Sequence, residues 1–286
     1  MKNQINISTK IENISNLPTL PSVIEKITRL MQNPQTSAEE VGRAITTDQS
    51  LASKVLKLVN SAFYGFPGKI STITHAIVIL GFSTVKNVVL TASIFDFFKK
   101  NSSENNQFDM EKFWFHSLAC GAAAQSIARY VGFNEKEECF VGGLIHDIGK
   151  IILCQFLSEE FHIIVKTAQQ KQKLFYECES EMFTMTHQEI GGIIAEKWNL
   201  PSNLQHIVMY HHMPNPSREH ATMTSIVHLA DILVRAMDYG YGGDDKVPLI
   251  ADSAWNNLGF QNLSLGPLLE DIDNEIEKAS IFMQIA

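Results

Sequence analysis

The sequence predicts an all-α protein, and two observations carry that expectation. Apolar residues recur at helical spacing almost everywhere along the chain. No alternating apolar run is flanked by hairpin turn chemistry. A chain of 286 residues, 45% of them hydrophobic and 19% charged, also closes a core without a disulfide or metal staple. The same balance excludes a disordered chain, a collagen and a simple coiled coil.

The elements follow in order. Val23, Ile24, Ile27, Leu30 and Met31 share one face of a helix over 22–31, entered by a Pro-Ser step. Thr36 and Ser37 before Glu39 and Glu40 give the next helix a side-chain cap and carboxylates in its positive first turn. Asp48 caps a third, in which Leu51, Val55, Leu58 and Val59 lie together. Further helices are expected at about 69–80, 83–99, 111–131, 136–155, 159–171, 186–198, 202–210, 219–238 and 265–283. The polar stretch 99–107 (KKNSSENNQ) divides the chain into a first lobe, 1–100, and a second, 108–286. The glycine-rich 239–246 (YGYGGDDK) reads as a flexible surface turn, because it leads into no helix N-terminus that would cradle a phosphate.

Charge and cysteine usage narrow the function. Twenty-three basic against 31 acidic side chains leave a net charge of −8, which argues against a general nucleic-acid coat and an anionic membrane surface. Any site that handles phosphate must then draw its positive charge from a few local cations or a metal. Cys120, Cys139, Cys154 and Cys178 form no CxxC pair and read as reduced, buried thiols of a cytoplasmic protein. The polar start (MKNQINISTKIENISN) is no signal peptide, and the apolar stretches 76–80 and 88–98 are too short or interrupted to span a bilayer.

Histidine is the informative residue. Of ten, six fall in or beside helical segments of the second lobe: His116 (FWFHS), His146 (GLIHDIGK), His187 (MTHQEIGG), His211 and His212 (YHH), and His228 (IVHLAD). His146 and Asp147 lie among Leu144, Ile145, Ile148, Ile151 and Ile152, so the pair belongs to a buried helix, where an unmatched carboxylate is expensive. Taken singly, each histidine is better explained as a core or surface imidazole. Taken together, His116, His146, Asp147, His187, His211, His212 and Asp231 are seven nitrogen and oxygen ligands, more than one ion needs. Two divalent cations sharing Asp147 would use them all, and such a pair supports phosphoryl transfer. Lys150, one turn after His146, would reach a phosphate oxygen as a point charge, or else snorkel at the surface. Lys150 and Asp147 are thus the candidate catalytic residues. His75 reads as a core histidine, and His162, His206 and His220 as surface residues. His228 shares a face with Asp231 and reads as a core histidine, with orienting that acid from behind as the alternative, whereas Cys120 is most economically a small core thiol.

Several segments resemble the HDOD family, bacterial signalling relatives of the HD metal-dependent phosphohydrolases. They are LPTLPSV (17–23), TDQSLASKVLKLVNSAFYG (47–65), ISTITHAIVILG (70–81), FWFHSLACG, FVGGLIHDIGK and IVHLAD, with Gln49 where proline is usual. The resemblance runs over about 16–235. It implies an N-terminal helical lobe packed on an HD-like helical core, and a role in signal transduction. HDOD domains tend to have lost parts of the HD metal site, but here His116, His146, Asp147 and Asp231 fill the four HD positions. His187, His211 and His212, with the HDIGK run, resemble the additional ligands of HD-GYP phosphodiesterases. The Gly-Tyr-Pro loop of those enzymes is replaced by Met213-Pro214-Asn215-Pro216, which speaks against cyclic-di-GMP. The expected cofactors are two divalent ions, with Fe, Mn, Mg and Zn not separated. The expected partners are a phosphate-containing small molecule or nucleotide and a signalling protein, for which 60–68 (NSAFYGFPG) is either a docking loop or a plain helix-ending turn. The competing reading is a regulatory module whose metal is structural or sensing.

Overall fold

The computed structural model describes residues 4–12, 14, 25–27, 29–30, 33, 35–101, 108–215, 219–260 and 264–285, and their side chains except at 12, 95–101 and 285. Most of the expected helix 22–31, the segment 17–23 and residues 102–107 lie outside that set. Within it the chain is helical, and its extended pairing is a single parallel bridge between Ile5 and Phe183. Two compact units form, one from Met1–Pro18 with Glu104–Asp273, the other from Thr19–Ser103 with Asn274–Ala286. The ends therefore sit otherwise than a division into 1–100 and 108–286 places them. Ile5 exchanges backbone hydrogen bonds with Met182 and Thr184, and Phe282 packs edge-on against Phe63 at 5.2 Å.

The unit around Thr19–Ser103 holds the helices Ala38–Thr46, Gln49–Val59, Ile73–Asn101 and Ile281–Ile285. Ser37 and Glu40 close the expected capping box, with the Ser37 N–H donating to Glu40 at 2.8 Å and the Glu40 N–H to Ser37 Oγ at 3.2 Å. Asp48 accepts the Leu51 N–H at 3.0 Å. Val41, Ile45, Val55, Leu58, Ile73 and Ile77 fill the interior between these helices. The helix-ending turns of 60–68 are tied by Asn60, whose side chain both donates to and accepts from the Ile70 backbone at 2.8 Å. The Ile73–Asn101 helix breaks at Gly81 (φ 85°), where the sequence left a gap between two helices. His75 is exposed rather than buried, because Ile73, Ala76 and Ile77 take the inward face of its turn.

In the other unit the helix Met110–Tyr130 is the axis, packed by Lys136–Ile145 and by Ala221–Ala236. Its run of Ala119, Gly121, Ala122, Ala123 and Ala124 lets neighbouring backbones come close. The expected helix 136–155 is in fact two, Lys136–Ile145 and Ile148–Phe156, with His146 and Asp147 at the junction. The break serves packing: a side chain on Gly149 would put its Cβ 1.8 Å from the His187 carbonyl oxygen, so only glycine lets the two backbones meet there. His187–Lys197 packs on Ile148–Phe156 and on Ser202–Tyr210. Phe175–Met182 and Asp252–Leu258 are short helices that apolar spacing did not mark. The last expected helix divides into Leu265–Ala279 and Ile281–Ile285.

Two stretches are apolar and long enough to cross a membrane by composition, Ile73–Ile94 and Lys136–Phe156, contrary to the expectation that none is. The first is interrupted at Gly81 and the second is 89% buried in the protein's own core, where it carries His146, Asp147 and Lys150.

Candidate metal centre

Five elements converge on one buried point. His116 comes from Met110–Tyr130, His146 and Asp147 from the helix junction, and His187 from the first turn of its helix. His211 and His212 follow the end of Ser202–Tyr210, and Asp231 lies in Ala221–Ala236. None of the seven is more than 9% exposed. Their ligand atoms form two groups, His116, Cys120, His146 and Asp231 in one, Asp147, His187, His211 and His212 in the other, each within 4.8 Å.

Asp147 faces both. Its Oδ2 lies 3.3 Å from His146 Nε2, and its Oδ1 lies 3.2 Å from His187 Nε2 and 3.5 Å from His211 Nε2. On the other side His116 Nε2 is 3.2 Å and His146 Nε2 is 3.9 Å from Asp231 Oδ1. Backbone and carboxylate acceptors fix the ring protons on the outer nitrogens. His146 Nδ1–H donates to the Gly143 carbonyl at 2.7 Å, His211 Nδ1–H to that of Val208 at 3.0 Å, and His187 Nδ1–H to the Glu179 carboxylate. The Nε2 lone pairs therefore point inward, those of His187 and His211 only 3.4 Å apart. His146 Nε2, Asp147 Oδ1 and His212 Nε2 are buried without any hydrogen-bond partner. Lone pairs and carboxylate oxygens facing one another in a buried site call for positive charge between them, so the residues present fit divalent cations.

Protein cations already stand beside both acids. Lys150 is 1% exposed, not at the surface, and donates to Asp147 Oδ2 at 2.7 Å and to the Gly242 carbonyl at 2.8 Å. Arg235 donates to Asp231 at 2.8 Å and to Asp244 at 3.1 Å. Burial alone would raise the carboxyls, but Lys150 holds Asp147, and Arg235 holds Asp231, well below the usual range. Burial lowers His116 and takes His211 down to about 4, keeping both neutral and able to bind a cation. His212 is driven well below its ordinary value by burial and by its histidine neighbours. His187 is the exception: burial opposes its charge, but Glu179 and Asp147 together outweigh that and raise it.

Some of this network left no sequence signal. Nothing in the sequence singles out Glu179, Arg235 or Asp244, and only the tertiary fold gives them their partners. The 239–246 loop is no free turn. Gly240 (φ +75°) runs so close to Met110–Tyr130 that a Cβ would lie 2.4 Å from the His116 amide, and Tyr241 donates to the Lys112 carbonyl at 3.0 Å. Asp244 then accepts the Phe175 N–H at 2.9 Å, locking the loop over the centre. A cavity of about 100 Å³ remains beside His116, lined also by Arg235, Gly242 and Lys246. His228 is buried and spends both ring nitrogens on backbone rather than on Asp231, donating to the His211 carbonyl at 2.7 Å and accepting the Ala251 N–H at 3.0 Å. His162, His206 and His220 are half-buried and stand apart from both ligand groups.

Residues 17–214 match the model of the HDOD domain. The chain belongs to the HDOD family. Across 229 residues, 79% of this chain, it is 24% identical to an uncharacterized protein of Treponema pallidum, and it spans 44% of that relative's length. An HDOD domain protein of unknown function from Geobacter sulfurreducens superposes with a TM-score of 0.80 at 24% identity, covering 98% of this chain and 99% of that one. A Shewanella amazonensis protein designated a candidate phosphohydrolase gives a TM-score of 0.74 at 22% identity, with 98% of each chain covered. These structural likenesses establish the helical HDOD architecture.

Proposed function

We propose that this HDOD chain is a bacterial cytoplasmic signalling protein whose buried centre holds two divalent cations and hydrolyses a phosphate ester or anhydride of a small molecule or nucleotide. The observation that carries it is the set of unpartnered acceptors, His146 Nε2 and Asp147 Oδ1, inside two converging ligand groups. The candidate-phosphohydrolase designation of the Shewanella relative agrees with it. Bound cations would polarise a phosphoryl oxygen and lower the pKa of water. The chain's own residues do the rest. Asp147 joins the two ligand groups, and Glu179 and the Gly143 carbonyl hold His187 and His146 in the tautomers that expose Nε2. Lys150, held over the Phe175 ring at 5.0 Å, is the cation next to Asp147 for an incoming phosphate. With Met213 and Pro214 after the histidine pair instead of a Gly-Tyr-Pro loop, cyclic-di-GMP is not the proposed substrate.

A second reading, a regulatory module with a structural or sensing metal that reports to a protein partner, is favoured by Lys150, Arg235 and the 239–246 loop, which neutralise and cover the acids. One experiment separates the two. Purified full chain is analysed for metal and assayed on a phosphodiester and nucleotide panel with Mn²⁺, Fe²⁺ or Mg²⁺. Turnover that disappears in folded His146→Ala and Asp147→Ala supports hydrolysis. A metal-loaded, inert protein supports the module, and a chain that takes up no metal contradicts both.

A further inference from the structure

We propose that Cys120 is a thiolate ligand, so that one of the two cation positions is a His-His-Cys-Asp site of soft character and the other is built from nitrogen and oxygen alone. The inference rests on the two-cation reading above and specifies its chemistry. Cys120 lies one helical turn after His116, is fully buried, and puts its Sγ 3.6 Å from His116 Nε2. His116 Nε2 in turn is 3.2 Å from Asp231 Oδ1. A tetrahedral ion bound at about 2.0–2.3 Å to nitrogen, oxygen and sulfur requires ligand-to-ligand edges of roughly 3.3–3.6 Å. The observed separations are close to those edges. The fourth corner is His146 Nε2, an orphaned acceptor 3.9 Å from the same Asp231 oxygen, in the same group of four.

The other thiols serve as a comparison. Cys139, Cys154 and Cys178 are also buried, yet none joins a group of metal-ligating side chains among the described residues. The second group, Asp147, His187, His211 and His212, holds no sulfur. Thiolate with imidazole selects Zn²⁺, Fe²⁺ or Co²⁺ over Mg²⁺, so the two positions would differ in which ion they accept. Binding exchanges a proton for the cation: the Cys120 S–H bond breaks, the proton leaves to solvent, and sulfur donates the freed pair.

The test is the absorption spectrum of the full chain titrated with Co²⁺. A near-ultraviolet sulfur-to-cobalt charge-transfer band is expected, lost in Cys120→Ser and kept in Cys139→Ser, Cys154→Ser and Cys178→Ser, while the visible cobalt bands survive in all four. Visible bands without the charge-transfer band in the unmodified chain overturn the thiolate and leave the two-cation reading standing. No cobalt bands at all overturn both. X-ray absorption of the zinc-loaded, unmodified chain needs no variant. It should register a sulfur neighbour at about 2.3 Å, and a first shell of nitrogen and oxygen alone would contradict the proposal.

Discussion

Glu179 and Lys150 act on the same centre in opposite senses, one through a histidine and the other through an acid. Glu179 is fully buried and accepts both the ring and the backbone N–H of His187. Glu179→Gln leaves the fold but weakens the orientation and basicity of His187, so metal affinity should fall about 10–100-fold in a chelator competition. Lys150 instead compensates Asp147 when no metal does. Lys150→Met should therefore destabilise the metal-free chain by about 3 kcal/mol, since it strands a buried carboxylate. The metal-loaded chain should lose much less, because the cation replaces the missing charge. Urea melts with and without chelator check this, and an equal loss in both would refute it. Glu179 left no signal in the sequence, whereas Lys150 is singled out there as a phosphate contact or a surface residue, not as the buried counter-ion of Asp147. The candidate ligands His116, His146, Asp147, His187, His211, His212 and Asp231 are singled out there, because so many imidazoles and acids in or beside apolar helical segments are unusual when taken together. Glu179 and Arg235 are ordinary helix residues until the fold brings His187 and Asp231 to them.

At the level of elements, local chemistry was readable and non-local packing was not. Ser37 with Glu40, and Asp48 with Leu51, are signals confined to a few residues, and both caps formed where expected. The break at His146 and Asp147 was hidden because Leu144, Ile145, Ile148, Ile151 and Ile152 keep helical spacing across it, and its cause is the approach of a distant helix to Gly149. Gly149→Ala places a methyl against the His187 carbonyl oxygen, a contact that relief by a flexible side chain cannot ease. Stability should fall by about 3 kcal/mol, in the upper range for overpacking. The same change should loosen the metal centre, since Gly149 positions both Asp147 and His187. A variant with unaltered urea midpoint would show that the two helices separate at no cost.

For the whole molecule, the buried histidines make stability depend on pH. His116, His211, His212 and His228 are all lowered by burial, His211 to about 4, against about 6.5 in the unfolded chain. Between those values the unfolded chain binds more protons, so metal-free stability falls as pH drops from about 6.5. His211 by itself accounts for about 3 kcal/mol over its full window. Asp147 and Asp231, already depressed, add nothing until pH passes below the ordinary carboxylate range. His187, raised against its burial by Glu179 and Asp147, is charged in both states below about 6.5 and does not oppose the trend. The urea midpoint of the metal-free chain should thus be clearly lower at pH 5 than at pH 6.5, and a flat profile would mean that these rings are solvated.

The convergence of imidazoles and acids on shared cations is tested most directly by counting metal in the dialysed full chain after growth or reconstitution with Zn²⁺, Mn²⁺ and Fe²⁺. Two ions per chain are predicted, falling to one or none in Asp147→Asn, where the group facing both ligand sets is lost. A folded, unmodified chain that retains no ion, with Lys150 and Arg235 left to balance the two acids, would contradict the account.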